Sequence, residues 1–302
     1  MTDGHAPTSV RATVQRPKLG RRRSHPLWFV GPFAAVYLVF FAYPLVQLFV
    51  LSFTHTQLGN PTGPFVGTAN YARLLADPGF WGALGHTLLF VVLTVVPLVL
   101  LGLLLALLVL RAKRFRGFAQ AAFFLPYILP VSVVTLVWAW LLNPHFGIIN
   151  HLLGLDTAWF DDTTLAMPSV AAVTVWWTIG FNMLLFMAGL QTVPTELKQA
   201  AELDGASPWQ VFRHITWPLL WPTTSLVVLL QVIASLKIFS QVYLLTAGGP
   251  GTSSRVLLEF MYDTGFTNLD TGYASTIAVA IFVVIVAISA VQARLLTAGG
   301  RG

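Results

Sequence analysis

The sequence predicts an all-α integral membrane protein with six transmembrane helices and both termini in the cytoplasm. Three observations carry this. Of the 302 residues 56% are hydrophobic and 9% charged, a balance that a water-soluble domain of this length does not have. Six runs, roughly 27–53, 85–110, 119–142, 168–190, 222–246 and 273–296, meet the requirement of about 20 apolar residues for a helix to cross the hydrocarbon. The bases are also divided unequally. If residue 1 is inside, fourteen of the 17 Lys and Arg fall in the segments before 26, at 111–118, at 191–221 and after 293, against Arg73 and Arg255 outside and Lys237 within the fifth run. Positive charge collects on the cytoplasmic side, so 111–118 and 191–221 face the cytoplasm.

Residues 1–25 are polar and basic without apolar periodicity and read as a disordered cytoplasmic tail ahead of a domain at 26–302. The run from Leu27 is about twice as long as the apolar core of a signal peptide and has no small-residue cleavage site, so it reads as a retained span. Pro32 and Pro44 in the first span, Pro97 in the second, and Pro126 and Pro130 in the third should kink those helices. Outside, residues 71–81, with Tyr71, Phe80 and Trp81, suggest one helix at the membrane surface, and residues 146–153 suggest another. His151, Asp156 and Asp161 match no metal-ligand spacing.

Between the fourth and fifth spans lies the longest polar stretch of the second half. Leu197, Ala200, Ala201 and Asp204 recur at i, i+3, i+4, i+7 and share one helix face. Gly205 is a C-terminal stop, and Ser207, Pro208, Trp209 and Gln210 read as Ncap to N3 of a second helix with a capping box. Val211, Phe212 and Ile215 share a face of that helix, and Pro218 is expected to end it.

With Ala200, Ala201, Gly205, Ile215 and Pro218 in place, this stretch resembles the pattern Glu-Ala-Ala-x-x-x-Gly-x9-Ile-x-Leu-Pro, the coupling loop of the membrane subunits of bacterial ABC importers. Gln199 stands where the pattern has glutamate and Trp217 where it has leucine, while Glu202 lies one turn on from 199. Asp204-Gly205-Ala206, Phe212 and Leu245-Thr-Ala-Gly-Gly-Pro250 are similar to the carbohydrate-importer branch, which includes the larger maltose-permease subunit. The resemblance spans roughly 27–296. It implies a MetI-like permease fold, with the ATPase contacted through Gln199, Ala200, Ala201, Glu202, Asp204, Gly205, Ala206, Phe212, Ile215 and Pro218. It also implies a second homologous permease, an ATPase dimer that holds ATP and Mg, and an extracytoplasmic solute-binding protein.

Ionisable groups inside a bilayer are costly and mark function. Away from the ends of the six runs Lys237 is the one such group, with Gln231, Ser235, Ser240 and Gln241 around it. Gln231, Ala234, Ser235 and Ile238 form one face, and by resemblance they line a sugar site, closed by Thr178 and Phe181 of the fourth span with Asn182 beside them. Amides and hydroxyls suit sugar hydroxyls, and an aromatic ring suits the apolar face of a pyranose. The same polar side chains would equally serve to join helix to helix. Lys237 lies off the face and reads as a snorkelling lysine or an anion contact.

Several functions are excluded or ranked lower. No Gly-x4-Gly-Lys-Ser/Thr occurs, so this chain binds no ATP by that route and has no cofactor of its own. There is no cysteine for a disulfide, thiolate catalysis or a thiolate metal site. The net charge of +6 is accounted for by topology, not by nucleic acid. A membrane-embedded enzyme would need converging nucleophiles or acids, and His86, Glu259 and Asp263 form no recognisable set. An ATP-independent facilitator would leave the Asp204-Gly205 loop without a role. The expectation is a transport subunit in the plasma membrane, surrounded by lipid, importing a sugar, with a glycerophosphodiester or polyol phosphate as the second choice.

Overall fold

A computed structural model of the chain describes residues 26–299 apart from Pro61 and Lys113, so the tail expected at 1–25 lies outside the described residues. The chain divides into two compact units, 1–46 and 47–302. The first contains α1 (Pro26–Tyr37), a π-helical turn (Leu38–Ala42) and the start of α2 (Tyr43–Leu51). The π turn has a local cause. Pro44 has no N–H to donate back along the helix, and just before it the Tyr43 N–H reaches five residues back to Leu38 O. Phe33, Tyr37 and Phe41 stack at successive i, i+4 steps, with centroids 6.3 and 5.6 Å apart.

In the second unit α3 (Ala69–Ala76) is amphipathic and buries Asn70 and Leu74. Here the expectation of one surface helix through Trp81 is corrected. Asp77 closes α3, and its Oδ1 accepts the Gly79 N–H at 2.8 Å to start α4 (Pro78–Arg111), so Phe80 and Trp81 belong to the first turn of a 34-residue helix. The outer ends are clasped by polar contacts. Asn70 Nδ2 donates to Ser52 O and Thr54 O, Tyr273 Oη donates to Asp77 Oδ2 at 2.6 Å, and Arg73 pairs with Asp270 at 2.7 Å while lying 3.8 Å over the Tyr273 ring.

The expected third span is broken. The chain forms α5 (Arg116–Ile128) and α6 (Val131–Leu141), which meet at an angle of 98°. Pro130 disfavours helix at Leu129, which takes an extended ψ of 139°, and Pro130 itself has no N–H to continue the ladder. After the short α7 (Ile148–Leu153), Asp162 accepts bonds from Thr164 N, Thr164 Oγ1 and Leu165 N. Those bonds hold its carboxyl below the usual range and lead the chain into α8 (Ala166–Gln191).

Next come α9 (Thr195–Leu203), α10 (Pro208–Val211), a π turn (Phe212–Thr216) and α11 (Trp217–Leu236). Pro218 does not end the second helix of this hairpin as expected. The Trp217 N–H reaches back to Phe212 O, so the turn with its extra residue absorbs the proline and the helix runs on to Leu236. The fifth span, expected unbroken to 246, stops at Lys237, the C-cap of α11. It resumes as α12 (Ser240–Leu245), followed by α13 (Leu257–Tyr262), a third π turn (Asp263–Thr267) and α14 (Thr271–Gly299). Among the described residues five helices are long and apolar enough to cross a membrane, or six spans if the bent pair α5 and α6 counts as one.

The centre of this unit is α4 packed between α8 and α11, where Leu103 and Ala106 meet Met183, Phe186, Met187, Leu220 and Val227. In lipid such contacts depend on close approach and dispersion, because the surroundings are equally apolar. At Gly180 a Cβ would stand 1.9 Å from Phe123 O, so glycine is what lets the backbone of α5 cross α8.

Candidate functional site

The α9–α10 hairpin is built from its caps. The Gly205 N–H bonds to Glu202 O and the Ala206 N–H to Ala201 O, around a glycine at φ +83°. Ser207 then caps α10, accepting the Gln210 N–H, while its own N–H donates to Gln210 Oε1 at 2.7 Å. This is the capping box read from the sequence. Val193 and Val211 are buried at the base of the hairpin. Gln199, Ala200, Glu202, Asp204, Gly205 and Pro218 are exposed, and Ala201, Ala206, Phe212 and Ile215 are partly covered.

The hairpin also exposes apolar groups that sequence reasoning missed. Leu203 is 89% and Trp209 65% exposed. Trp209 stacks on Phe212 at 5.7 Å, Phe212 lies tilted to Trp217 at 6.2 Å and Trp217 meets Trp221 edge to face at 6.4 Å, giving an aromatic ridge from the tip into α11. The available signal was a leucine off the Leu197–Asp204 face of a polar helix. Leu203 and Trp209 thus leave apolar surface exposed on a capped, left-handed turn.

The intramembrane candidates fall into two groups. On α8, Thr178 Oγ1 donates to Thr174 O, and Asn182 Nδ2 donates to Thr178 O at 3.1 Å while its buried Oδ1 has no partner. Phe181 stacks on Tyr127 of α5 at 4.9 Å, nearly parallel at 14°. Tyr127 was also missed; its place between Pro126 and Pro130 was the usable signal, since a helix break in a bilayer occurs where the backbone faces protein or a cavity. On α11, Ser235 Oγ lies 2.9 Å from Thr94 Oγ1 of α4; Ile238, expected on the same helix face, falls beyond the end of α11 and packs with Phe90, Met167 and Val170. Gln231 is buried beside them. Ser235 and Ile238 thus join helices in this conformation, whereas Asn182 keeps an unpaired acceptor buried on the side of α8 that meets Gly102 of α4, and Phe181 and Tyr127 stack between α8 and α5. Lys237 is exposed at the end of α11. A cavity of about 780 Å³ between α4, α5 and α8, lined by Leu93, Pro97, Leu105, Phe123, Trp176 and Ile179, includes none of the nominated residues.

Outside the spans, Glu259 is almost fully buried and its Oε2 has no partner. Burial first, and then the nearby Asp263, pushes its carboxyl up to about 7, and burial raises Asp263 as well. Among the described residues no His, Asp and Glu cluster could hold a metal ion.

Residues 98–298 match the family described as binding-protein-dependent transport system inner membrane component. The chain is similar to the sn-glycerol-3-phosphate transport system permease protein UgpA of Agrobacterium fabrum, at 33% identity over 89% of this chain and 93% of the relative. It is also similar to the arabinooligosaccharides transport system permease protein AraP of Bacillus subtilis, at 30% identity over 96% and 94%. In fold it matches a chain of a bacterial alginate ABC transporter solved in complex with an alginate pentasaccharide-bound periplasmic protein. That match has a TM-score of 0.80 and 21% identity, and covers 92% of this chain and 96% of the other.

Proposed function

The chain belongs to the family of binding-protein-dependent transport system inner membrane components, and from this we propose that it is the membrane-spanning subunit of an ATP-driven sugar importer. The observation that carries the reading is the α9–α10 hairpin, a capped cytoplasmic turn that presents Leu203 and Trp209 to a partner. A partner ATPase, with ATP and Mg bound to it, closes as a dimer and moves the hairpin as a rigid body. The helices then turn from inward-open to outward-open to receive solute from a binding protein. A second homologous permease completes the pathway. This chain supplies no ATPase chemistry of its own.

A sugar is the first choice because of the relative that carries arabinooligosaccharides and because of the α5–α8 cluster. Stacked Phe181 and Tyr127 offer an aromatic face, and the unpaired Oδ1 of Asn182, fully buried in this conformation, becomes an acceptor for a hydroxyl once the helices turn. The relative that carries sn-glycerol-3-phosphate favours a second reading, a polyol phosphate or phosphodiester, with the exposed Lys237 as the anion contact. The test is to purify the tagged chain from its native membrane and assay uptake of both solute classes in vesicles. Co-purification of an ATPase, a second six-span protein and ATP-dependent sugar uptake is the expected result. Purification of an active chain without an ATPase would remove the importer reading.

A further inference from the structure

At the extracytoplasmic end, just beyond the break in the fifth span, four rings stand in contact. Phe239 is stacked on Tyr243 at 5.2 Å, Tyr262 lies 5.3 and 5.4 Å from both, and Phe266 stacks on Tyr262 at 5.1 Å. Tyr243 and Phe266 are 41% and 59% exposed. The row begins at Phe239, the N-cap of α12, two residues beyond Lys237, the C-cap of α11.

Two acids accompany the rings. Glu259 and Asp263 lie four residues apart where α13 runs into the π turn, within one helical turn of each other, and Tyr262 sits between them in sequence. The field of both carboxylates reaches Tyr243. Gly248, in the left-handed region, lies against Glu259, with its built Cβ position 3.0 Å from Oε2. Arg255 is the base whose field reaches both acids, but its guanidinium lies over the Phe260 ring and against Gly79. One base against two acids leaves the cluster net negative once the pH stands above the raised range of Glu259. A belt of rings facing lipid would gain nothing from two carboxylates, which cost free energy next to hydrocarbon.

We propose that Phe239, Tyr243 and Tyr262, with Glu259 and Asp263, form a charge-selective vestibule that passes neutral sugars and repels anionic ones. This rests on the sugar reading above. Ring faces cover the apolar side of a pyranose, the partly exposed Asp263 accepts bonds from its hydroxyls, and the charge of Asp263 together with that of the buried Glu259 disfavours a uronic acid, sulfonate or phosphate.

The experiment uses the complex that co-purifies with this chain, in vesicles with internal ATP, at external pH 8. The vesicles are offered an equimolar pool of neutral trisaccharides and uronic-acid trisaccharides, and the uptake of each is read by mass spectrometry. The wild type is expected to prefer the neutral sugars by roughly tenfold, as for a charge a few ångströms from two carboxylates in partly wet surroundings. Glu259→Gln together with Asp263→Asn should bring the ratio near unity. Tyr262→Leu should lower neutral uptake roughly three- to tenfold while Tyr262→Phe retains it, the range expected for losing an aromatic face. The neutral-to-acidic ratio is taken within one sample and does not depend on how much protein inserts; Asp263→Asn alone serves if the double variant does not assemble. A wild type that imports both classes equally, or a ratio unmoved by removing the acids, overturns the vestibule and leaves the sugar reading standing. A wild type that imports no sugar overturns the sugar reading and the vestibule with it.

Discussion

Substitution at Gly205 isolates the role of the hairpin geometry. The residue sits at φ +83°, and a Cβ built there meets nothing within 4 Å, so a side chain brings backbone strain without a clash. In the left-handed region an ordinary residue costs about 1 kcal/mol and a β-branched one about 2 kcal/mol, while asparagine tolerates it at a few tenths. At 1.4 kcal/mol per factor of ten, the capped turn should lose population by less than twofold in Gly205→Asn, about fivefold in Gly205→Ala and about thirtyfold in Gly205→Val. Initial uptake rates, normalised to inserted protein, should follow that order, with melting in detergent changed little because Gly205 is exposed and carries no core contact. Equal uptake in Gly205→Val and wild type, at equal protein, would refute the reasoning. So would a Gly205→Asn variant as impaired as Gly205→Val, since strain at positive φ could not then be the cause.

Reporter fusions at residues 115 and 160 should score as cytoplasmic and external, from the charge division that places 111–118 inside; the reverse would turn the hairpin away from any ATPase. Ser235→Ala removes one buried hydrogen bond to Thr94 and should cost about 1 kcal/mol of stability in detergent melts, whereas Ser235→Trp should stop uptake; normal uptake in Ser235→Trp would place the solute elsewhere. Lys237→Met should leave neutral-sugar uptake intact and would abolish uptake of a phosphodiester if that is the solute. Glu259, raised from 4.5 to about 7, binds its proton more tightly in the folded protein, so its contribution is fully present below pH 4.5 and is lost as pH rises through 7. Wild-type melting temperature should therefore fall across that window more steeply than that of Glu259→Gln, and parallel curves would contradict the burial argument.

Much of this architecture was legible because each signal was local. Apolar runs and Ser207–Gln210 state their structure without reference to distant residues, and the capping box forms where it was read. Two proline effects were misjudged in opposite directions. Pro130 breaks its span by 98° instead of kinking it, while Pro218 is absorbed by a π turn instead of ending its helix. The outcome depends on whether the carbonyls left by a missing N–H find new partners, which tertiary packing decides. The intramembrane pairs were the least legible. Nothing near Ser235 points to Thr94, 141 residues away, and nothing near Phe181 points to Tyr127. Helical periodicity identifies a face but not which neighbour it meets.

The turn at Phe212–Thr216 also works as an angular offset. Successive residues of an α-helix are about 100° apart around its axis, so the one additional residue of a π turn rotates everything before it by about that angle relative to α11. Deleting a single residue within 212–216 would allow a regular helix and swing Trp209 and Leu203 roughly a quarter-turn around the rod on which they stand. Chain length in this short segment, more than the identity of any side chain in it, therefore sets the compass bearing of the cytoplasmic tip, and homologous subunits should tolerate exchanges there far better than gaps.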